Sequence, residues 1–391
     1  MIAASAALSP LAAPGQETVD LPFENGRRPL VKYPGKRPLI RLTSRPPQLE
    51  TPFSVFNEGA TTPNDAFFVR YHLAQFFPDN VDAAAFRLEI KGNVKTARSF
   101  SLADLASKFE QVETTAVLQC SGNSRGFFQP RVGGGQLAHG AMGNARWKGV
   151  RLRDVLLTAG VSPEARQAVF NGFDRPVVEK TPDFIKALSL EQIMEGEVLL
   201  ATKMNGEDLP LLNGYPLRLV VPGYYGTYWV KHLNEITIVD KEFDGFWMST
   251  AYRIPDNDCA CVPPGTTPAK TVPINRLNVR SFITSPADHS EQPGGRAIPL
   301  RGIAFDGGRG IDAVLISTDA GVNWQSARLG PDLGRFSFRE WTSAMVFDRP
   351  GDFEIKVRAV NRAGQTQPMT PSWNPSGYMR NVVESIHLRV V

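Results

Sequence analysis

The sequence predicts an α+β protein, in which a mixed α/β domain is followed by an all-β, immunoglobulin-like sandwich. The 391 residues include 34 glycines and 31 prolines, a content that favours many turns and short strands over long helices. Capping boxes open short helices in the first two thirds of the chain. After a proline-rich linker at residues 262–270, only strand patterns follow. At roughly 150 residues per domain, this length suggests two or three packed units.

Charge and hydropathy argue against two classes of protein. Lysine and arginine number 43 against 39 acidic residues, and this small surplus is spread along the chain. A nucleic-acid-binding protein would normally gather its basic residues on one face. No segment approaches the roughly 20 continuous apolar residues that a membrane span requires. We therefore expect neither a nucleic-acid partner nor a membrane span.

Residues 1–61 are predicted to form a signal remnant and an extended arm. Residues 1–16 are small and apolar and resemble the end of a secretory signal, although the charged start of such a signal is missing. A flexible alanine-rich start is the alternative. Residues 16–61 are rich in proline and arginine with little periodicity, which indicates an extended arm on the surface of another part of the protein.

Residues 62–262 carry the alternating patterns of the mixed domain. Capping boxes at Ser101–Asp104 and Ser189–Gln192 predict two helix starts, and apolar spacing predicts a third helix over 151–159. Four strands are expected at residues 86–90, 114–118, 216–221 and 236–239.

Residues 271–391 are predicted to form the sandwich. Strand patterns recur at residues 279–283, 313–317, 353–360 and 386–391. A turn follows residue 317, and Trp324 beyond it is expected to fill the core between the two sheets.

The three cysteines suggest different roles. Cys120 ends an apolar, strand-like run and begins a glycine-containing turn that also holds Arg125. In such a place a thiolate is both stabilised and accessible, and thiolates bind soft metals. A buried, inert thiol is the alternative. Cys259 and Cys261 are expected to be free or intermolecular thiols, because a disulfide across one residue is strained. A redox role for this pair is the alternative.

Four motifs occur in an order that is typical of one enzyme family. They are PNDAFFVRYH at residues 63–72, LQCSGN at 118–123, MNGEDLPLLNGYPLRLVVPG at 204–223 and VKHL at 230–233. In these motifs the chain resembles the sulfite oxidase family of molybdopterin enzymes, and in particular bacterial sulfite dehydrogenases. The resemblance runs from about Pro63 to the C-terminus and includes the family's dimerisation domain.

The resemblance implies a molybdenum–molybdopterin cofactor and the residues that bind it. Cys120 would be the single protein thiolate ligand of molybdenum. Arg218 and Lys231 would pair with the anionic pterin phosphate. The alternative for Arg218 is an ordinary surface arginine in a strand. Further contacts with the cofactor are expected from Phe68, Arg70, His72, Asp174, Lys186, Asn213, Gly226 and Trp229.

Sulfite is an anion, so the substrate site needs positive charge, and arginine suits oxyanions through its forked donors. Arg70 and Arg125 are the expected substrate residues. Tyr252 corresponds to the family's active-site tyrosine and is expected to hydrogen-bond Arg70 and to tune proton release. The alternatives are a core role for Tyr252, or a catalytic role for one of its rivals Tyr224, Tyr225 and Tyr228.

The sequence departs from the family pattern at two places. Animal members carry a further arginine in the segment that reads WNPSG at residues 373–377 here, so Ser376 cannot supply that charge. Arg380 is a candidate replacement. Asn213 stands where the family has a histidine before Gly-Phe-Pro, which keeps hydrogen bonding and loses a titratable group.

The resemblance implies oxidation of sulfite to sulfate by oxygen-atom transfer. The chain has neither a c-type haem motif nor a b-type haem domain, so we expect no haem in this chain and an external cytochrome c as electron acceptor. A homodimer through the C-terminal domain and export to the periplasm are also expected. Reduction of a sulfoxide such as methionine sulfoxide is one alternative, and a non-catalytic exported binding protein is another.

Overall fold

A computed structural model describes residues 17–73 and 81–391. The signal-like segment at residues 1–16 lies outside the described residues, so the interpretation of that segment stays a prediction. In the described part of the chain, no helix combines the length and the apolar character that crossing a membrane requires.

The N-terminal segment, which the sequence predicted to be an extended arm, forms a sheet of its own. The strands are β1 (Thr18–Asp20), β2 (Arg27–Val31), β3 (Leu39–Ser44), β4 (Pro47–Glu50) and β5 (Val69–Arg70), with a 3-10 turn at Phe53–Asn57. They pair as neighbours in chain order, and every pair is antiparallel. One buried cluster joins the sheet to the next domain. In it Leu39, Leu49 and Val69 of the sheet pack with Leu212. Strand β5 thereby carries Arg70 to the edge of that domain.

In the part of the chain that the structure describes, the mixed domain contains two sheets and three helices. Its elements are β6 (Leu88–Gly92), β7 (Arg98–Phe100), α1 (Leu102–Lys108), β8 (Gln111–Gln119), β9 (Met142–Arg151), α2 (Leu152–Ala159), β10 (Gln167–Gly172), β11 (Lys186–Ser189), α3 (Leu190–Met194), β12 (Leu199–Met204), β13 (Glu207–Asp208), β14 (Arg218–Val220) and β15 (Leu233–Val239). Single 3-10 turns lie at Arg125–Phe127, Leu211–Asn213 and Gly226–Tyr228. One sheet has the order β11-β10-β15-β6-β7. The other has the order β13-β12-β9-β8, with β14 paired to β12.

The three predicted helices are confirmed, and their ends follow from the local sequence. At α1, Ser101 and Asp104 form the complete capping box. At α3, the Ser189 side chain accepts a hydrogen bond from the backbone N–H of Gln192. Helix α2 buries one apolar face and ends at Gly160, whose φ of +67° suits a residue without a Cβ.

The segment that leads to the sandwich contains a disulfide. It comprises α4 (Phe246–Ser249) and the antiparallel pair β16 (Arg253–Pro255) and β17 (Thr271–Pro273). In the loop between these strands Cys259 and Cys261 are bonded, so the prediction of free thiols is wrong. The physical reason is the left-handed backbone of Ala260, at φ +49°, because it leaves the two Cα atoms 5.1 Å apart, within the usual span of a disulfide.

The C-terminal unit is a β sandwich. Its strands are β18 (Arg280–Ser285), β19 (Ser290–Gln292), β20 (Ile298–Phe305), β21 (Ile311–Ser317), β22 (Gln325–Ser326), β23 (Arg328–Leu329), β24 (Arg339–Met345), β25 (Gly351–Asn361) and β26 (Glu384–Val390). The two sheets have the orders β18-β20-β24-β23 and β19-β26-β25-β21-β22. Trp341 fills the core and is 1% exposed. Trp324 is only half-buried beneath Arg358, so the prediction of Trp324 as the core residue is wrong. It lies in the turn before β22, and that turn runs along the surface.

Loops of the sandwich reach the mixed domain beside Cys120. The backbone N–H of Met379 donates to the carbonyl oxygen of Ser121 at 2.9 Å, and that of Val117 donates to Phe336 at 2.9 Å. A shared apolar cluster, which includes Tyr252, Phe282 and Met379, lies between the two units. The residues around Cys120 are therefore fixed from both sides.

Candidate active site

A pocket opens where β5, the end of β8 and the turns near residues 212 and 226 meet. It collects all predicted site residues except two. Those in its wall are Phe68, Arg70, His72, Cys120, Asp174, Asn213, Arg218, Gly226, Trp229, Lys231 and Tyr252. Arg125 and Lys186 lie behind the wall.

Cys120 is held at the pocket by its backbone. Strand β8 pairs with β9 along its whole length, and the Cys120 N–H extends this pairing by donating to the Ala141 carbonyl at 2.9 Å. The chain then turns sharply through Ser124, which has a φ of +68°. The Cys120 thiol is free and buried in the pocket wall. A thiol at a strand end, with a fixed backbone, is suited to act as a metal ligand.

Two cations, the buried Arg218 and the half-buried Lys231, give the pocket a positive wall. Arg218 is 3% exposed, donates to the Asn213 carbonyl at 2.6 Å and lies against the rings of Trp147 and Trp229. Lys231 donates from Nζ to the Arg70 carbonyl at 2.6 Å. Among the described residues, neither cation has a carboxylate within 4.0 Å. Within residues 17–73 and 81–391, no protein anion therefore lies at contact distance from the charges of Arg218 and Lys231.

Burial sets the proton affinities of these groups. It lowers the pKa of Arg218 to about 9 and that of Lys231 to about 7, with the nearby Arg218 charge lowering the latter further. Burial also raises the pKa of Asp174, and Lys231 opposes this effect. An anionic ligand in the pocket would raise the pKa of both cations, because it stabilises their protonated forms.

Several buried polar atoms of the pocket wall have no protein partner within the described ranges. They are Oγ of Ser121, Oγ1 of Thr227 and Nε of Arg218. Buried polar groups in native proteins almost always have a hydrogen-bond partner. Together with the cations Arg218 and Lys231, these atoms fit a polar, anionic ligand.

Tyr252 and His72, the first buried and the second half-buried, form a hydrogen-bonded pair that also lines the pocket. The Tyr252 hydroxyl shares a hydrogen bond with Nε2 of His72, whereas the sequence predicted a bond to Arg70. The His72 ring stacks on Phe184, with centroids 3.7 Å apart. Burial lowers the pKa of His72 well below its usual value, and the charges of Arg70 and Lys231 act in the same direction. Burial raises the pKa of Tyr252, and the Arg70 charge opposes this. Both groups are therefore neutral near pH 7.

Arg125 and Lys186 support the site from outside the pocket. The Arg125 guanidinium donates from Nε to the Ser376 carbonyl at 3.1 Å and lies over the Tyr378 ring at 4.8 Å. Its charge also lowers the pKa of Tyr252. Lys186 is fully buried, donates to the Trp247 carbonyl at 2.6 Å and has a pKa lowered to about 7 by burial.

The remaining sequence candidates lie elsewhere. Arg380 donates to Glu384 at 2.7 Å, and that carboxylate also binds Arg280, so the structure does not bring Arg380 into the pocket as a replacement charge. Tyr224, Tyr225 and Tyr228 are also outside the pocket lining.

Lys36 of the N-terminal segment is a further residue of the site, and no sequence motif indicated it. Its Nζ donates to Oδ1 of Asn213 at 2.6 Å and to the Phe67 carbonyl at 3.0 Å. Asn213 in turn donates from Nδ2 to the Phe68 carbonyl at 3.1 Å. Lys36 thus fixes the wall that Asn213 and Phe68 form. No local pattern around residue 36 signals this contact, because it joins segments 177 residues apart.

Comparison with known proteins agrees with this architecture. Residues 74–247 match the family described as oxidoreductase molybdopterin binding domain, and residues 271–390 match the Mo-co oxidoreductase dimerisation domain. Mitochondrial sulfite oxidase of Mus musculus is 33% identical over 379 residues, which cover 93% of this chain and 68% of the mouse protein. Sulfite oxidase of Arabidopsis thaliana is 30% identical over 95% of this chain and 99% of the plant protein.

The crystal structure of the sulfane dehydrogenase SoxCD from Paracoccus pantotrophus has a similar fold, with a TM-score of 0.74. It covers 98% of this chain and 92% of that chain at 24% identity. The fold and the two domain matches thus define a molybdopterin oxidoreductase with a molybdenum–pterin cofactor. Within that class, the chain belongs to the sulfite oxidase family.

Proposed function

We propose that this protein oxidises sulfite to sulfate at a molybdenum–pterin centre bound through Cys120. The observation that carries the proposal is the free Cys120 thiol in a pocket whose cations, Arg218 and Lys231, have no carboxylate within 4.0 Å among the described residues. The relatives named sulfite oxidases support the choice of substrate.

The pocket residues have the chemical groups that the cofactor would need. We assign the Cys120 sulfur to the metal, and Arg218 and Lys231 to the anionic part of the pterin, because buried cations bind phosphate oxygens strongly. The partnerless hydroxyls of Ser121 and Thr227 supply further hydrogen bonds. When bound, the cofactor supplies oxygen-atom transfer and accepts the two electrons of the reaction.

The reaction balances with water as the source of the added oxygen. Sulfite and water give sulfate, two protons and two electrons. Arg70 reaches the pocket from β5, where its guanidinium is placed to bind an oxyanion. The neutral Tyr252–His72 pair keeps its proton on the phenol oxygen, so that this oxygen can accept a hydrogen bond from water and pass a proton during turnover.

The electrons must leave one at a time, and we assign them to an external cytochrome c. We further propose a homodimer, which the match of residues 271–390 to a dimerisation domain supports. Export to the periplasm is proposed from the small, apolar composition of residues 1–16.

The test is sulfite-dependent reduction of cytochrome c and of ferricyanide, on protein whose molybdenum content is measured in the same preparation. We expect both acceptors to be reduced in proportion to molybdenum. Reduction of ferricyanide alone would retain sulfite oxidation and remove the cytochrome. Failure with both acceptors, together with turnover of methionine sulfoxide by reduced protein, would replace the proposal with sulfoxide reduction.

A further inference from the structure

The chain has five histidines, and two of them lie together on the surface of the sandwich. His232 is buried, and His72 and His139 are packed against the aromatic rings of Phe184 and Phe127. His289 and His387 are exposed, with side-chain exposures of 73% and 51%. Their rings stack with centroids 5.2 Å apart and planes 11° apart.

Asp288 completes a group of three possible metal ligands. Its Oδ1 lies 3.4 Å from Nδ1 of His387, and its Oδ2 lies 3.6 Å from Nε2 of His289. One ligand atom from each of the three residues lies within 4.8 Å of the others. Metal–ligand distances of about 2.0–2.2 Å place the ligand atoms of a zinc site roughly 3–4 Å apart. A small side-chain adjustment therefore brings all three atoms onto one ion.

The backbone holds these ligands in place. His387 lies on β26, and His289 immediately precedes β19, which pairs with β26 in parallel. The Asp288 carboxylate accepts hydrogen bonds from the backbone N–H groups of His289, at 3.1 Å, and His387, at 2.7 Å. The N–H of His289 also donates to the His387 carbonyl at 2.7 Å. The positions of the three side chains are thus fixed by strand pairing, not by long flexible loops.

We infer that Asp288, His289 and His387 form a binding site for one divalent transition-metal ion of the Zn²⁺ type. Two imidazoles and one carboxylate suit zinc and its neighbours, whereas magnesium and calcium prefer an all-oxygen set. Three protein ligands leave one coordination position for water. A bound ion would join the loop before β19 to strand β26.

The experiment is calorimetric titration of the full-chain, molybdenum-loaded protein with Zn²⁺ alone. The loaded form is used because an unoccupied Cys120 thiol would itself bind zinc. We expect one ion per chain. We expect His289→Gln and His387→Gln each to weaken binding by about tenfold or more, since outer-shell changes alone typically cost 10- to 100-fold. Glu291→Gln is the matched control, because this exposed residue on β19 is outside the ligand group.

Either of two results of the calorimetric titration would overturn the inference. The first is wild-type protein that binds Zn²⁺ no more tightly than the His289→Gln, His387→Gln double variant. The second is an equal loss of affinity in Glu291→Gln. Molybdenum content and melting temperature without zinc show whether the variants are folded. A Co²⁺ difference spectrum of wild type against the double variant gives an independent readout, and the absence of ligand-field bands would also contradict the site.

Discussion

The hydroxyl of Tyr252 and Nε2 of His72 share a partly buried hydrogen bond, although 180 residues separate them in the chain. Tyr252 adopts a φ of +59°, a conformation that bulky residues rarely occupy. Its ring stacks on Tyr378, with centroids 5.0 Å apart, and this packing helps to hold the conformation. The phenol therefore faces the pocket in one orientation, with a neutral imidazole behind it.

Tyr252→Phe is expected to lower kcat for sulfite by roughly 10²- to 10⁴-fold, the range typical of a lost proton-transfer group. The phenol oxygen is the atom that we assign to proton transfer, and phenylalanine keeps the ring while removing that atom. The measurement is the steady-state rate with ferricyanide across pH 6–9. Tyr378→Phe, which removes a hydroxyl outside the pocket lining, is the control. Equal losses of kcat in the two variants would contradict a specific role for Tyr252.

Cys120→Ser is expected to reduce turnover by more than the roughly 100-fold that loss of an outer-shell partner costs at a metal site. Serine keeps the size of the side chain but offers no thiolate to a soft metal. Activity and molybdenum content are measured together, so that loss of metal is separated from loss of rate. Turnover close to that of the wild type would exclude Cys120 as the metal ligand.

The Cys259→Ser, Cys261→Ser double variant is expected to keep full activity, because the disulfide loop is outside the pocket lining. Its effect on unfolding is expected to be small. A ring closed across one residue removes little entropy from the unfolded chain, about 1.6 kcal/mol by the loop-length relation. Chemical denaturation and the ferricyanide assay check both statements. A loss of activity in this variant would show that the loop contributes to turnover.

Arg70→Gln is expected to raise KM for sulfite more than Arg125→Gln does. Arg70 lines the pocket, and a charged hydrogen bond is worth about 1.5–3 kcal/mol, or roughly 10- to 100-fold in KM. Arg125 lies behind the wall, bound to the Ser376 carbonyl, and acts on the pocket through its charge. KM values at low and high salt measure the two effects. The reverse order would assign substrate binding to Arg125.

Local sequence signals predicted the helices and the position of Cys120. Capping residues such as Ser101 act within one turn of their helix, so the sequence contains the whole interaction. Strand β8 was recognisable because its apolar run ends at the turn that Cys120 begins. The N-terminal sheet was missed because its proline-rich strands are stabilised by pairing with each other and by Leu212, contacts that no short segment encodes.

The sequence predicted which residues line the pocket, but it did not predict how their side chains are arranged. The family resemblance implied that Arg70, Cys120 and Tyr252 share one site. The choice of His72 over Arg70 as the hydrogen-bond partner of Tyr252 depends on the left-handed backbone at Tyr252 and on the stacking of His72 against Phe184. The disulfide was mispredicted for the same kind of reason, since it depends on the φ of Ala260.

The buried Lys186 is expected to make the free energy of unfolding increase as pH rises. Burial lowers its pKa to about 7 in the folded protein, whereas an unfolded lysine titrates near 10.5. Between these values the unfolded chain holds one more proton than the folded protein at this site. The contribution of Lys186 to the free energy of unfolding therefore rises with pH by about 1.4 kcal/mol per pH unit, and this rise levels off above pH 10.5.

Lys186→Met is expected to remove this contribution. The slope of the free energy of unfolding against pH, between pH 7.5 and 9.5, then falls by an amount that corresponds to at most one proton. Methionine matches the length of the buried stem and carries no charge, which removes the cost of burying the ammonium group. Chemical denaturation at three pH values measures the slope. Lys241→Met, at an exposed position, is the control and is expected to leave the slope unchanged. A Lys186→Met slope equal to that of the wild type would show that Lys186 keeps its proton in the folded protein.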